Sequence, residues 1–119
     1  MEMIKRLESL PTQVKEKIRG GLGKALAVDY LTPDEMAGVL MASRIALEPG
    51  ASVGEHLHPE TEELYLVLEG QGVGLLDGES FDVGPGDVWL CKAGHTHGLA
   101  NPGTAPLAFF AVLTRAENR

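Results

Sequence analysis

Cysteine is all but missing from these 119 residues: Cys91 stands alone, so no disulfide can close within the chain. A lone thiol fits a reducing compartment, and the expected location is the cytoplasm. Aromatic residues are scarce at 5%, so a core drawn from the 44% hydrophobic fraction must be built mainly from Leu, Val, Ile, Ala and Met. Long apolar runs are missing too. The longest nearly apolar stretch, Ala105 to Leu113, is too short to cross a bilayer as a helix. The opening Met1-Glu2-Met3-Ile4-Lys5-Arg6 lacks the apolar run of a signal peptide. Positive charge is in short supply. A formal net charge of −7 argues against nucleic acid or an anionic membrane as the main partner.

Turn formers, by contrast, are plentiful. The 15 glycines and 7 prolines suit many short strands better than a helical bundle, and the length suits one domain. Charge is also divided along the chain. Residues 1–24 hold six Lys/Arg against three Glu, whereas the remainder holds four against 14 acids. This basic leader, residues 1–23, is expected to form an arm that either folds over the acidic body or extends into solvent. Ile4, Leu7, Val14 and Ile18 fall near a helical spacing broken by Pro11. With Thr12 as N-cap, a short helix is expected over residues 13–19, stopped by Gly20-Gly21-Leu22-Gly23.

From Lys24 to residue 119 the pattern is that of strands. Candidate strands are Lys24–Leu31, Val39–Leu47, Ser52–His58, Glu63–Glu69, Gly72–Leu76, Glu79–Val83, Asp87–Cys91, Leu99–Asn101 and Pro106–Arg115. Val39, Met41, Ile45 and Leu47 share one face at period two, which puts Arg44 on the other. Asp77-Gly78 is the sharpest hairpin signal. The fold class is all-β, a sandwich or barrel.

All four histidines lie in two short windows. The first is His56-Leu57-His58-Pro59-Glu60-Thr61-Glu62-Glu63; the second is Gly94-His95-Thr96-His97. On a strand, His56 and His58 point to the same face and can bite one ion from one side. The turn at Pro59 returns the chain, so that Glu63 can add a hard oxygen, and the second window can supply a third imidazole from a separate strand. Three nitrogens and one carboxylate suit a first-row divalent metal better than calcium or magnesium. A histidine pair on a strand is by itself more often solvated or hydrogen-bonded than metal-bound; the grouping with a carboxylate carries the reading.

These two windows resemble the motifs of the cupin superfamily. Gly50, His56, His58, Glu63 and Gly70 match every fixed position of its first motif, Gly-x5-His-x-His-x3,4-Glu-x6-Gly. Gly86, Gly94, His97 and Asn101 match the second, Gly-x5-Pro-x-Gly-x2-His-x3-Asn, with Lys92 standing where the pattern has proline. The resemblance implies an antiparallel jelly-roll β-barrel, usually dimeric, with a metal inside its wider mouth. It implies four ligands: His56, His58, Glu63 and His97. Glu62 is the rival carboxylate, but only Glu63 leaves six residues before Gly70 and shares a strand face with Tyr65 and Val67. The metal would be a divalent transition ion, any of Mn, Fe, Ni, Zn, Co or Cu.

Cupin folds host dioxygenases, decarboxylases, isomerases, lyases and plain binders, so the fold alone does not name an activity. The expected function is a metalloenzyme acting on a small oxygenated molecule, a hydroxy or keto acid, a diol or a sugar derivative, that chelates the metal. The alternative is a non-catalytic small-molecule or sugar-binding module with a structural or ligand-capturing metal. Tyr65 and His95 are the candidate proton donors or bases. Trp89 and Met41 are read as core packing and Cys91 as buried and inert. Leu64–Leu68 is apolar on both faces, which motivates a homodimer joined through an outer sheet face.

Overall fold

The computed structural model describes residues 3–116; the remaining ends of the expected arm (1–2) and barrel (117–119) lie outside the described residues. The described chain runs through β1 (Thr12–Glu16), β2 (Lys24–Leu31), β3 (Val39–Leu47), β4 (Ser52–Leu57), β5 (Thr61–Glu69), β6 (Gly72–Leu76), β7 (Glu79–Val83), β8 (Val88–Cys91), β9 (Thr96–Ala100) and β10 (Leu107–Arg115). Two antiparallel sheets result, one ordered β1-β2-β3-β10-β5-β8 and the other β4-β9-β6-β7. This is the all-β architecture that the strand spacing implies, and it is consistent with the jelly-roll that the cupin resemblance implies.

Alternation builds the core. On β10, Leu107, Phe109 and Ala111 are fully buried while Phe110 turns outward against Tyr30. Leu47 of β3 and Val67 of β5, on the strands that flank β10, and Leu99 of β9 in the other sheet join them in the core. Trp89 packs edge-on against Tyr65 and Phe81, each at 5.4 Å between ring centres, so it is a core residue as expected. The β6–β7 hairpin closes through Asp77 (φ 51°) and Gly78 (φ 79°), the two left-handed positions of a type I′ turn.

The leader corrects one expectation. Residues 13–19 form no α-helix: Thr12–Glu16 is strand β1, followed by a one-turn 3-10 segment at Ile18–Gly20. Strand β1 pairs with β2 from Thr12↔Val28 to Glu16↔Lys24. A helix of seven residues is marginal by itself, whereas the bare edge of β2 offers a full ladder of backbone partners. The apolar residues that suggested a helix mostly stay in solvent, Val14 being 67% exposed, and only Ile18 packs onto the core.

Candidate metal centre

Three long-range pairings assemble the histidine windows. Strand β4 pairs with β9 so that His56 lies opposite His97. The backbone just beyond β4 is tied to the second window, with His58 N donating to His95 O (3.1 Å) and Gly94 N to His58 O (2.7 Å). Strand β5 then carries Glu63 into the same space. Strand alternation decides the carboxylate: Glu63 turns in and is buried, while Glu62 turns out to Lys92 at 3.4 Å. Lys92, the departure from the second motif, therefore sits on the outside, where its side chain does not disturb the cluster.

The donor atoms converge. His56 Nε2 lies 3.1 Å from His58 Nε2, which lies 2.9 Å from His97 Nε2. Glu63 Oε1 lies 3.2 Å from His58 Nε2 and 3.0 Å from His97 Nε2. The ligand atoms of all four residues fall within 4.8 Å of one another. Two ligands at right angles on an ion with bonds of about 2.1 Å sit about 3.0 Å apart, so these separations fit adjacent positions around a single ion. Three imidazole nitrogens and one carboxylate oxygen thus converge on one point, and an N3O donor set suits a first-row divalent metal.

The far sides of the rings fix their orientation. His56 Nδ1 lies 2.6 Å from Gly54 O, an atom that can only accept, so Nδ1 carries the proton and Nε2 presents its lone pair to the cluster. His58 Nδ1 meets Thr61 Oγ1 at 2.7 Å. His97 Nδ1 is buried without a hydrogen-bond partner among the described residues; its ring is held instead by stacking on Tyr65, 4.4 Å between centres at 24°. Burial pushes the Glu63 carboxyl up, but the hydrogen bonds from His58 and His97 outweigh it and hold the group down at about 2. Burial depresses His56, favouring the neutral ring a metal needs. Burial first, then the Glu63 charge, raises Tyr65 well above its ordinary range, so its hydroxyl keeps its proton at neutral pH.

Beside the cluster lies a cavity of about 170 Å³, lined by His56, His58, Glu63 and Tyr65, by Met41, Ser43 and Ile45 of β3, and by Asp29 of β2. The Asp29 carboxylate accepts a short hydrogen bond from Ser43 Oγ. Two further lining residues, Lys15 and Arg19, come from the leader and were not among the sequence candidates. The excess of basic residues before Lys24 was their signal, but it did not say which of them face the barrel. His95 does not join the cluster. It sits half-exposed in the turn before β9, with Nδ1 2.6 Å from Asp77 Oδ2, because strand alternation does not extend into that turn. Burial pushes the Cys91 thiol up to about 11, in keeping with an inert core cysteine. Arg44 points outward, 3.7 Å from Glu69.

Comparison with known proteins agrees with the residues. The family model of the Cupin domain matches residues 43–113. An oxalate-binding protein of Thermotoga maritima is 31% identical over 112 residues, covering 93% of each chain. A crystal structure from the same organism, described as that of a predicted oxalate decarboxylase, superposes with a TM-score of 0.90 over 95% of this chain and 99% of that one, at 31% identity. A sugar phosphate isomerase of Silicibacter pomeroyi is 25% identical, with a TM-score of 0.76 over 93% of this chain and 74% of its own. Two matched motifs, a jelly-roll of ten described strands and a buried cluster of three histidines and one glutamate thus lead to one conclusion: the chain belongs to the cupin superfamily.

Proposed function

We propose that His56, His58, Glu63 and His97 hold one divalent transition-metal ion, and that the chain uses it to take up a small oxygenated anion such as a dicarboxylate, hydroxy acid or keto acid. The observation that carries this reading is the convergence of four donor atoms beside a cavity of about 170 Å³. That volume is below the roughly 300–1,000 Å³ of sites for drug-sized ligands, so the occupant has few heavy atoms. The relative described as an oxalate-binding protein supports the class.

When bound, the metal supplies Lewis acidity toward a carboxylate or carbonyl oxygen. The chain's own residues do the rest. Tyr65, buried at 3% exposure beside Glu63, keeps its proton and can donate a hydrogen bond, or the proton itself, to a ligand oxygen. Met41, Ile45 and Leu113 keep the wall apolar and limit the water that accompanies the ligand. Turnover of the anion, with Tyr65 as acid, is the fuller form of this reading. Capture without turnover is the second, favoured by Asp29, the other carboxylate of the cavity, being engaged by Ser43 and by Gln13 at 3.3 Å.

Elemental analysis of tag-free protein tests the site. The expected result is near one equivalent of a transition metal, lost in His58→Ala; no metal after reconstitution refutes it. Incubating the loaded protein with oxalate and following its concentration separates turnover from capture. A homodimer is part of the same proposal. Val88 and Leu90 on the outer face of β8 are 53% and 56% exposed, and Leu90 borders a groove of about 280 Å³ with Leu64 and Val112, a surface that a second copy would cover. A monomer by sedimentation would end that part.

A further inference from the structure

The leader brings two cations to the cavity wall, Lys15 from β1 and Arg19 from the 3-10 turn. Among the described residues neither is held in an ion pair, which they share with Arg6 and Lys17, but only these two of the four line the cavity. Arg19 is also placed at a cost. Its backbone is left-handed (φ 53°, ψ 37°), a conformation that costs a non-glycine residue about 1–2 kcal/mol and that persists only where the surroundings enforce it.

The surroundings do enforce it. Gly20 N and Gly21 N close the turn onto Lys17 O and Ile18 O at 3.0 and 2.9 Å. Leu22 N donates to Ser52 Oγ at 2.9 Å, and Ser52 N donates to Leu22 O at 2.8 Å. The turn lies so close on β4 that a Cβ at Gly54 would run into the Arg19 carbonyl oxygen. Gly54 is also the residue whose carbonyl orients His56. The contact that seats Arg19 is therefore next to the one that aims a candidate ligand.

Charge then points to the occupant. Lys15 and Arg19 balance Asp29 and Glu63, so the cavity residues are formally neutral. A divalent ion on the cluster would leave two uncompensated positive charges beside a partly apolar wall. A dianion cancels them; a monoanion leaves one and a neutral diol leaves two. A guanidinium, planar and permanently charged, matches a carboxylate through two parallel hydrogen bonds.

Resting on the metal and anion reading above, we infer that Arg19, with Lys15 beside it, selects a doubly charged ligand: one carboxylate faces the His/Glu cluster and the other is held by the leader. Arg19 is thus a specificity residue supplied by a segment outside both histidine motifs.

The test compares oxalate, a dianion, with glycolate, a monoanion of the same two-carbon length that keeps one carboxylate and has a hydroxyl in place of the other, by titration calorimetry on manganese-loaded protein. The variants are Arg19→Asn, which tolerates the left-handed backbone, and Arg19→Lys, which keeps charge without the fork. Wild type should prefer oxalate. In Arg19→Asn that preference should fall about 10- to 100-fold, as expected for one charge-assisted pair, with metal content unchanged and Arg19→Lys in between. An oxalate-to-glycolate ratio equal to that of wild type overturns the inference alone. Loss of metal in Arg19→Asn overturns it as well, because Arg19 would then support the site and not the ligand. Wild-type loaded protein that binds neither anion overturns the proposed function and this inference together.

Discussion

Gly54→Ala isolates the close approach between leader and barrel. Gly54 does not occupy the left-handed region, so alanine is acceptable there on backbone grounds, and the penalty is purely steric. The new methyl would run into the Arg19 carbonyl oxygen and lie 2.9 Å from Gly21 N and 3.1 Å from Arg19 C, all backbone atoms with no flexible end to yield. Either β4 or the turn must retreat, at the roughly 1–3 kcal/mol that overpacking costs. For 119 residues an unfolding entropy near 0.25 kcal/mol per kelvin makes this a fall of about 4–12 °C in Tm. A second substitution sharpens the reasoning. A Cβ at Gly21 would press on the Ser52 carbonyl oxygen and sit 2.7 Å from Gly54 N, so Gly21→Ala parts the same two segments. The double variant should cost little more than either single one, since the contact can be lost only once. Differential scanning calorimetry on the four proteins measures both quantities, and trypsin cleavage after Lys17 and Arg19 should quicken in each variant. A Tm within a degree of wild type, or fully additive losses, would refute the tight seating of the leader.

Two further outcomes follow from the site and from the second motif. In metal-free protein, acid should destabilise: Glu63 is held at about 2 against an ordinary 4.5, so its contribution is complete above pH 4.5 and lost as pH falls through 2. It is worth about 3 kcal/mol as an order of magnitude. His56, depressed by burial, acts in the same direction from 6.5 downward, because the unfolded chain takes up a proton there before the folded one does. A urea midpoint that stays level or rises from pH 7 to pH 3 would contradict both. Asn101→Ala should lower Tm by about 8–16 °C while metal content is retained, from roughly 2–4 kcal/mol of lost and orphaned hydrogen bonds. Its buried Nδ2 serves Leu47 O, Glu48 O and Ala105 O at 3.1, 3.3 and 2.9 Å, and its Oδ1 accepts from Gly103 N. Loss of metal in that variant, by elemental analysis, would show that the motif asparagine does more than tie turns together.

Strand positions were legible because alternation and turn residues are local. Lys24–Leu31, Val39–Leu47, Gly72–Leu76 and Glu79–Val83 begin and end where their sequence pattern does. The same period of two selects Glu63 over Glu62 and places His56 and His58 on one face. Beyond the ends of strands the rule stops working. His95, two residues before His97, lies outside β9 and turns to Asp77, and β9 itself begins at Thr96, three residues earlier than its apolar pattern suggests.

The chemistry of the cluster is thus written in the chain itself: residue types, spacing within each window and strand phase are short-range properties that hold wherever the segment lies. Only the tertiary structure decides what those windows face. The β4–β9 register brings His56 to His97, and the free edge of β2 turns a would-be helix into β1, carrying Lys15 and Arg19 to the cavity. Such contacts join residues distant in sequence, and no local pattern records the backbone hydrogen bonds and close packing that select them.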